Sequence, residues 1–397
     1  MLTAEQLEIR ALAREFAAGE IRPHAAEWDA RRALDDGIFD KLAELGFLGM
    51  LVPERYGGLG LDVPTYLLAL EALAWGDASV ALGVAIQNGP VAGILLKHGT
   101  EAQKESWLPR MASGEVLMAF ALSEAEAGSD AGGLQTVATR DGDGWRITGT
   151  KRWVTNGDRA GAALVFARTG TGDDDGIGAF LVERGREGYE VGRRETTLGL
   201  SASETVEVKL DQVRVAADAL VGEPGGGLGH ALEALVLGRT GIAAQAIGIA
   251  QAALEHATRY GVEREQFGRA IADFGAIQFK LADMAARIAG ARALTLEVGR
   301  ELEQEREEGA DGAGRNAHGA APLAARAAMA KLLASEAAMW VTNQAVQIYG
   351  GYGYMRDYPV EKLMRDAKGT EIYEGTSEIL RLVIAREVVG AERAGNG

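Results

Sequence analysis

The sequence predicts an α+β protein in three successive parts: helical, then β, then helical again. Three observations carry this. Apolar residues recur at helical spacing over 1–118. Short β-branched and aromatic runs, separated by turn residues, fill 119–225. A long helical seam marks 226–397. With 397 residues, 47% hydrophobic and 25% charged, the chain has ordinary globular composition and enough apolar material for a sizeable core.

In the first part, Thr3 suits a helix N-cap, with Gln6 completing a capping box, and Leu7, Leu12 and Phe16 share one face of that helix. Pro53, Gly57, Gly58 and Gly60 interrupt the pattern. Helices are expected near 63–75 and 78–97, the second ended by Gly99 as a C-cap glycine. In the second part, Trp145–Thr148, Ala163–Phe166 and Thr205–Val208 read as strands. The turn clusters Asp141–Gly144 and Gly170–Gly176, with no helix between strands, point to an antiparallel sheet or barrel. In the third part, Ile277, Leu281, Met284, Ile288, Ala291, Thr295 and Val298 alternate spacings of four and three, as in a bundle helix. The segment 303–321, rich in charge and glycine, reads as a loop between two bundle helices.

Lys and Arg total 41 against 57 Asp and Glu, a net charge of −16, which argues against nucleic acid or an anionic membrane as the main partner. Cysteine is absent, which excludes disulfides, a thiol nucleophile and thiolate metal sites. The five histidines (His24, His98, His230, His256 and His318) show no ligand spacing, so no metal site is expected. The N-terminus does not read as a signal peptide and no uninterrupted apolar run reaches 18 residues. No membrane span is expected, and the expected location is the cytoplasm. No strand-GxGxxG-helix opens the chain and no Gly-x-Ser-x-Gly elbow is present. The run Gly225–Gly229 lacks a Lys-Ser/Thr pair and reads as a flexible joint.

Two segments carry candidate chemistry. Ala121–Gly133 mixes hydroxyls, acids and glycines, and fits either an anion-binding loop or a plain capped turn. Gln347–Tyr354 sets three glycines among aromatics, which suits either close backbone approach to a flat ligand or a helix C-cap with core tyrosines. Downstream, Glu374 precedes a glycine and a Thr/Ser helix start in an apolar setting. It is either a carboxylate with a raised pKa, fit to act as a base, or a surface acid near a helix N-terminus.

Together these residues resemble the acyl-CoA dehydrogenase family. Leu122–Gly133 and Gln347–Asp366 match its two diagnostic motifs. Gly149–Gly157, Arg264–Gly268 and Ile372–Ser377 match further, in the family order from about residue 3 to 390. The resemblance implies an N-terminal helical domain (1–118), a middle β-barrel (119–225) and a C-terminal four-helix bundle (226–397). It also implies FAD as cofactor, an acyl-CoA substrate, electron-transfer flavoprotein as electron acceptor and a homotetramer built as a dimer of dimers. By position, Leu122, Ser123 and Ser129 would bind flavin and diphosphate, and Trp153 and Thr155 would flank the isoalloxazine. Arg264, Phe267, Gln347 and Gly351 would reach a neighbouring subunit's FAD, and Thr376 and Glu378 would complete the cofactor site. Glu374 would be the catalytic base, with Ser129, Arg239, Tyr373 and Gly375 on the substrate side. Glu195 matches a position that pairs with a basic residue of electron-transfer flavoprotein.

Some relatives carry the base just before the arginine that matches Arg239; here that residue is Gly238. The chain departs from the family pattern at Val236, where Asp is frequent, and at Gly275, Ser201 and Ala125. The same scaffold also admits a flavin oxidase or monooxygenase, a dehydrogenase of carrier-protein thioesters, or a non-catalytic flavoprotein. The full motif around Glu374 disfavours the last.

Overall fold

A computed structural model describes residues 2–170, 176–308 and 322–395. The first part holds α1 (Ala4–Phe16), α2 (Ala25–Arg31), α3 (Ile38–Glu44), α4 (Val63–Gly76), α5 (Ala78–Ile86), α6 (Ala92–His98) and α7 (Glu101–Ala112). Thr3 caps α1 in a full capping box with Gln6. The buried face of α1 is not the expected one: Leu7 and Leu12 are 43% and 39% exposed, whereas Gln6 and Ala13 are buried. The cause is close approach. A Cβ on Gly76 of α4 would lie 3.0 Å from that of Ala17, just past α1, so only small residues fit at this contact. Gly99 does end α6, but with extended backbone (φ −70°, ψ 146°) rather than left-handed. Its lack of a side chain matters because a Cβ would fall 2.5 Å from the Leu95 carbonyl.

The second part is one 8-stranded sheet of β1 (Met118–Ala121), β2 (Val137–Asp141), β3 (Gly144–Val154), β4 (Ala162–Arg168), β5 (Ile177–Glu183), β6 (Tyr189–Arg194), β7 (Val206–Val215) and β8 (Leu220–Val221). Its path runs β6-β7-β3-β2-β4-β5-β8, with β1 parallel to β4. The sheet is mainly antiparallel, and among the described residues β6 and β8 stand at the ends of this path. Strands β4 and β5 are buried on both faces. Leu164, Phe166 and Leu181 join the helical core, while Val165, Phe180 and Val182 close a second core with Trp145 and Val208. Of the Gly170–Gly176 turn cluster, 171–175 lie outside the described residues.

The third part holds α8 (Gly227–Glu263), a hairpin of β9 (Glu265–Gln266) and β10 (Arg269–Ala270), α9 (Gly275–Glu308), α10 (Leu323–Tyr349), α11 (Pro359–Thr370) and α12 (Ser377–Gly395). Helix α10 packs against α8, α9, α11 and α12. The seam on α9 is buried from Met284 to Leu302. Of the expected loop 303–321, residues 303–308 are the last turns of α9, and 309–321, with His318, lie outside the described residues. Within the run Gly225–Gly229, read as a flexible joint, Gly225 and Gly227 are close packing contacts. Gly227 opens α8 against β5, where a Cβ would meet the Gly178 carbonyl carbon at 2.7 Å, and Gly225 abuts Gly176. Two helical stretches, Ala78–His98 and Gly227–Glu263, are long and apolar enough to cross a membrane. In the fold, 89% and 67% of their apolar windows are buried inside the protein.

Helix α8 approaches α4 closely at Gly248, where a Cβ would fall 2.4 Å from the Glu71 carbonyl oxygen and 2.7 Å from the Ala74 Cβ. Gly248→Ala is therefore expected to destabilise the protein by about 1–3 kcal/mol, read as a lowered thermal midpoint.

Candidate active site

The chain between α11 and α12 turns sharply. Glu374 has φ +52° and Gly375 has φ +100°, two left-handed residues in succession. Two buried cations hold the turn. Arg239 on α8 donates from Nε to the Glu374 carbonyl (3.2 Å), and Lys331 on α10 donates from Nζ to the Gly375 carbonyl (2.8 Å). The Tyr373 hydroxyl donates to Gln245 Oε1 (2.8 Å), whose amide nitrogen donates to the Ala78 carbonyl (2.7 Å). Tyr373 and Arg239, expected on the substrate side, thus spend these groups on fixing the turn. Among the described residues the Glu374 N–H has no backbone acceptor.

Glu374 as a whole is partly exposed, but its Oε2 is buried and has no hydrogen-bond partner. Burial pushes the carboxyl up to about 7, against the opposing pull of Arg239 and Lys331. It is therefore not the surface acid of the alternative sequence reading. Gly238 makes this placement possible, because a Cβ there would stand 2.2 Å from Glu374 Oε2. A side chain at 238 would therefore exclude the carboxyl of 374 from this point.

The loop after β1 is stitched to β3. Lys151, fully buried, donates to the Leu122 carbonyl (3.0 Å) and to Glu124 Oε1 (2.7 Å), and the Arg152 N–H donates to the Ser123 carbonyl (2.9 Å). Leu122 is buried, Ser123 half-buried and Ser129 exposed. The pairing of β3 with β7 slips between Lys151 and Val154, and Trp153 in that bulge has φ +55° and is 53% exposed. The bulge turns the indole outward, with Thr155 just beyond. Thr376 accepts from the Ile379 N–H (3.3 Å) as a helix cap, and Glu378 is exposed in the first turn of α12.

Arg264 and Gly351 gather elsewhere. They line a cavity of about 500 Å³ with Tyr260, Tyr349 and Tyr352, which contains none of the β-domain residues above. Gln347 is exposed one turn before Gly351. Phe267 tips the β9–β10 hairpin at φ +55° and is 94% exposed. One chain therefore presents two separate sets of the expected cofactor residues.

Glu195 is committed within the chain rather than free. Its carboxylate lies 3.2 Å from Arg152 and 3.8 Å from Arg193, and its side chain is only 17% exposed. A second cavity, of about 550 Å³, opens beside the turn. Val236, Leu237, Gly89 and Ile94 are among its apolar lining, and Lys97, His98, Glu233 and Arg306 supply charge. Gly89 connects it to the Gly238 notch that receives Glu374: a Cβ there would lie 3.8 Å from the Gly238 Cα and 3.9 Å from the Tyr66 hydroxyl, which is buried and unpartnered. Sequence reasoning missed Lys331, Lys151, Gln245 and Tyr66. For Lys331 the signal was available: one lysine in the alanine-rich inner face of a helix, among buried Ala327, Ala328, Ala330 and Ala334.

The sequence matches the N-terminal, middle and C-terminal domain models of acyl-CoA dehydrogenases over residues 3–115, 119–213 and 225–389. It is 42% identical over 387 residues to the short-chain specific acyl-CoA dehydrogenase of Bos taurus mitochondria, covering 97% of this chain and 90% of that one. The chain belongs to the acyl-CoA dehydrogenase family. Among solved structures, the butyryl-CoA dehydrogenase of Megasphaera elsdenii superposes with a TM-score of 0.92 at 40% identity, covering 98% of this chain and 99% of that one. A chain from the structure described as the electron transferring flavoprotein of Acidaminococcus fermentans superposes with a TM-score of 0.92 at 41% identity, covering 98% of both. Acyl-CoA dehydrogenases are FAD-dependent enzymes, and the residues here fit that group: an outward-turned indole on the β-domain and an Arg-aromatic cavity on the bundle.

Two outcomes follow for this acyl-CoA dehydrogenase. Glu374 holds its proton up to about 7 in the fold, against 4.5 for an ordinary glutamate, so its ionisation costs stability as pH rises through that window. Between those limits the stability difference should shift in favour of Glu374→Gln by up to about 3 kcal/mol, measured by denaturation across pH. Gly238→Ala should displace the carboxyl and slow flavin reduction by about 10²-fold, with FAD content unchanged.

Proposed function

We propose that this chain removes the α-proton and β-hydride of a short-chain acyl-CoA thioester, giving the trans-2-enoyl thioester, with Glu374 as base. The observation that carries this reading is the buried, unpartnered Oε2 of Glu374, set against Gly238 and brought up to about 7 by burial. A base of that pKa is matched to neutral pH: ionised often enough to act, yet basic enough to hold a proton. The Glu374 N–H donates to the thioester carbonyl, which stabilises the enolate-like charge and acidifies the α-carbon. Glu374 takes that proton at its carboxyl.

FAD, when bound, supplies the acceptor for the β-hydride. Leu122, Ser123 and Ser129 hold its flavin and diphosphate, Trp153 and Thr155 flank the ring, and Thr376 and Glu378 border the site. The thioester extends from Gly238 into the cavity of about 550 Å³ beside Val236, with Ser129, Arg239, Tyr373 and Gly375 around its head. A short acyl group is supported by the likeness to short-chain and butyryl-CoA relatives.

Arg264, Phe267, Gln347 and Gly351 serve a neighbouring subunit's FAD in a homotetramer built as a dimer of dimers. The two separate residue sets and the fully presented Phe267 support this. Reduced enzyme passes its electrons to electron-transfer flavoprotein in the cytoplasm. The division at 1–118, 119–225 and 226–397 is the domain organisation of this reading.

Anaerobic stopped-flow reduction by butyryl-CoA tests the base. Glu374→Gln should bind FAD and thioester yet reduce about 10²–10⁴-fold more slowly than the parent, and reduction within threefold of the parent would overturn the assignment. For the parent, kcat/KM should rise through a midpoint near 7, because Glu374 must be ionised to act. Arg264→Ala should lose about 1.5–3 kcal/mol of FAD affinity, read as reduced flavin occupancy on purification.

A further inference from the structure

We infer that Lys331 is a positioning residue for the base: from the middle of α10 its ammonium holds the Gly375 carbonyl, and with it the left-handed turn that sets the Glu374 carboxyl against Gly238. This rests on the reading of Glu374 as base. The side chain of Lys331 is fully buried. Among the described residues its only hydrogen-bond acceptor is the Gly375 oxygen, at 2.8 Å, and it has no ion pair within 4.0 Å. A buried ammonium with one carbonyl partner and no counter-ion at contact distance is an expensive way to fill space in an alanine-lined helix face, where a methionine would pack without a charge to desolvate. Its place is therefore explained by what it does to the turn.

Arg239 performs the same operation one residue earlier, on the Glu374 carbonyl. Two cations from two helices thus pin two successive peptide carbonyls of a segment with φ +52° and +100°. With both carbonyls drawn toward α8 and α10, the peptide planes are fixed and the Glu374 side chain is delivered to the notch that Gly238 leaves open. The groups facing Glu374 are Arg239 and Lys331, and Tyr66 and Tyr373 feel its charge. Those facing Lys331 are Glu374, Arg239, Glu371 and Glu378. Burial draws the ammonium down to about 8, so it is charged at neutral pH and favours the ionised base.

The test compares Lys331→Met, Lys331→Arg and Glu374→Gln as holoenzymes by anaerobic flavin reduction with butyryl-CoA, at pH values below about 8 where the parent ammonium is charged. Lys331→Met should slow reduction by about 10–100-fold while the thioester Kd stays within about threefold, because misplacement of a reacting group is read in the chemical step. Its pH midpoint should move upward, since a cation facing the carboxylate is gone, and Lys331→Arg should return the midpoint and most of the rate. An unmoved rate and midpoint in Lys331→Met, with only a lowered thermal midpoint, would overturn the inference. If Lys331→Met gives no holoenzyme, Lys331→Gln enters the same assay, where an unmoved midpoint has the same meaning. Fast reduction by Glu374→Gln would instead overturn the base assignment itself. An inactive Glu374→Gln beside a normal Lys331→Met would reject only the role of Lys331.

Discussion

The absence of one methyl group at position 238 is the constraint on which the site depends. A Cβ there would overlap the Glu374 carboxyl at 2.2 Å, so the helix that carries Arg239 can also receive that carboxyl against its own backbone. The same helix is stripped of side chains at its other close approaches, Gly241 under the Tyr66 hydroxyl and Gly248 against the Glu71 carbonyl. Helix α8 is thus at once a wall of the candidate site and the element that α4 packs against most extensively. Bundle and N-terminal helices meet along a glycine-lined face, and the catalytic turn is laid across one notch of it.

Electrostatics then decides what the placed carboxyl can do. Full desolvation without compensation would leave it protonated at neutral pH and useless as a base; full pairing with a cation would leave it ionised and too weak. Arg239 and Lys331 stand between these limits. Both contact the backbone of the turn rather than the carboxylate, so each favours the charged form from a distance and leaves Oε2 without a partner until a substrate arrives. The result is a carboxyl at about 7.

Much of this was legible in the sequence, for physical reasons that differ by element. The Thr3–Gln6 box and the α9 seam follow from local capping and periodicity. The Tyr-Glu-Gly-Thr turn was singled out by its resemblance to the family motif, since the residues alone left Glu374 open between a base and a surface acid. What escaped depends on contacts between distant segments. Leu7 and Leu12 suit one helix face, yet α1 meets α4 through alanines because Gly76 brings the backbones together. Gly225 and Gly227 look flexible in sequence, yet in space Gly225 abuts Gly176 and Gly227 is packed tightly against β5. Glu195 reads as a free acid until the fold brings Arg152 beside it. The bulge that exposes Trp153 arises from the register of β3 against β7, which no local pattern encodes.

Everything in the site turns on a Glu374 carboxyl that is buried and titrates near neutrality. Difference infrared titration of the substrate-free holoenzyme measures this directly, by following the protonated carboxyl stretch that is lost in Glu374→Gln. The account requires that band to disappear with a midpoint near 7. A midpoint near 4.5, that of an ordinary glutamate, would contradict it.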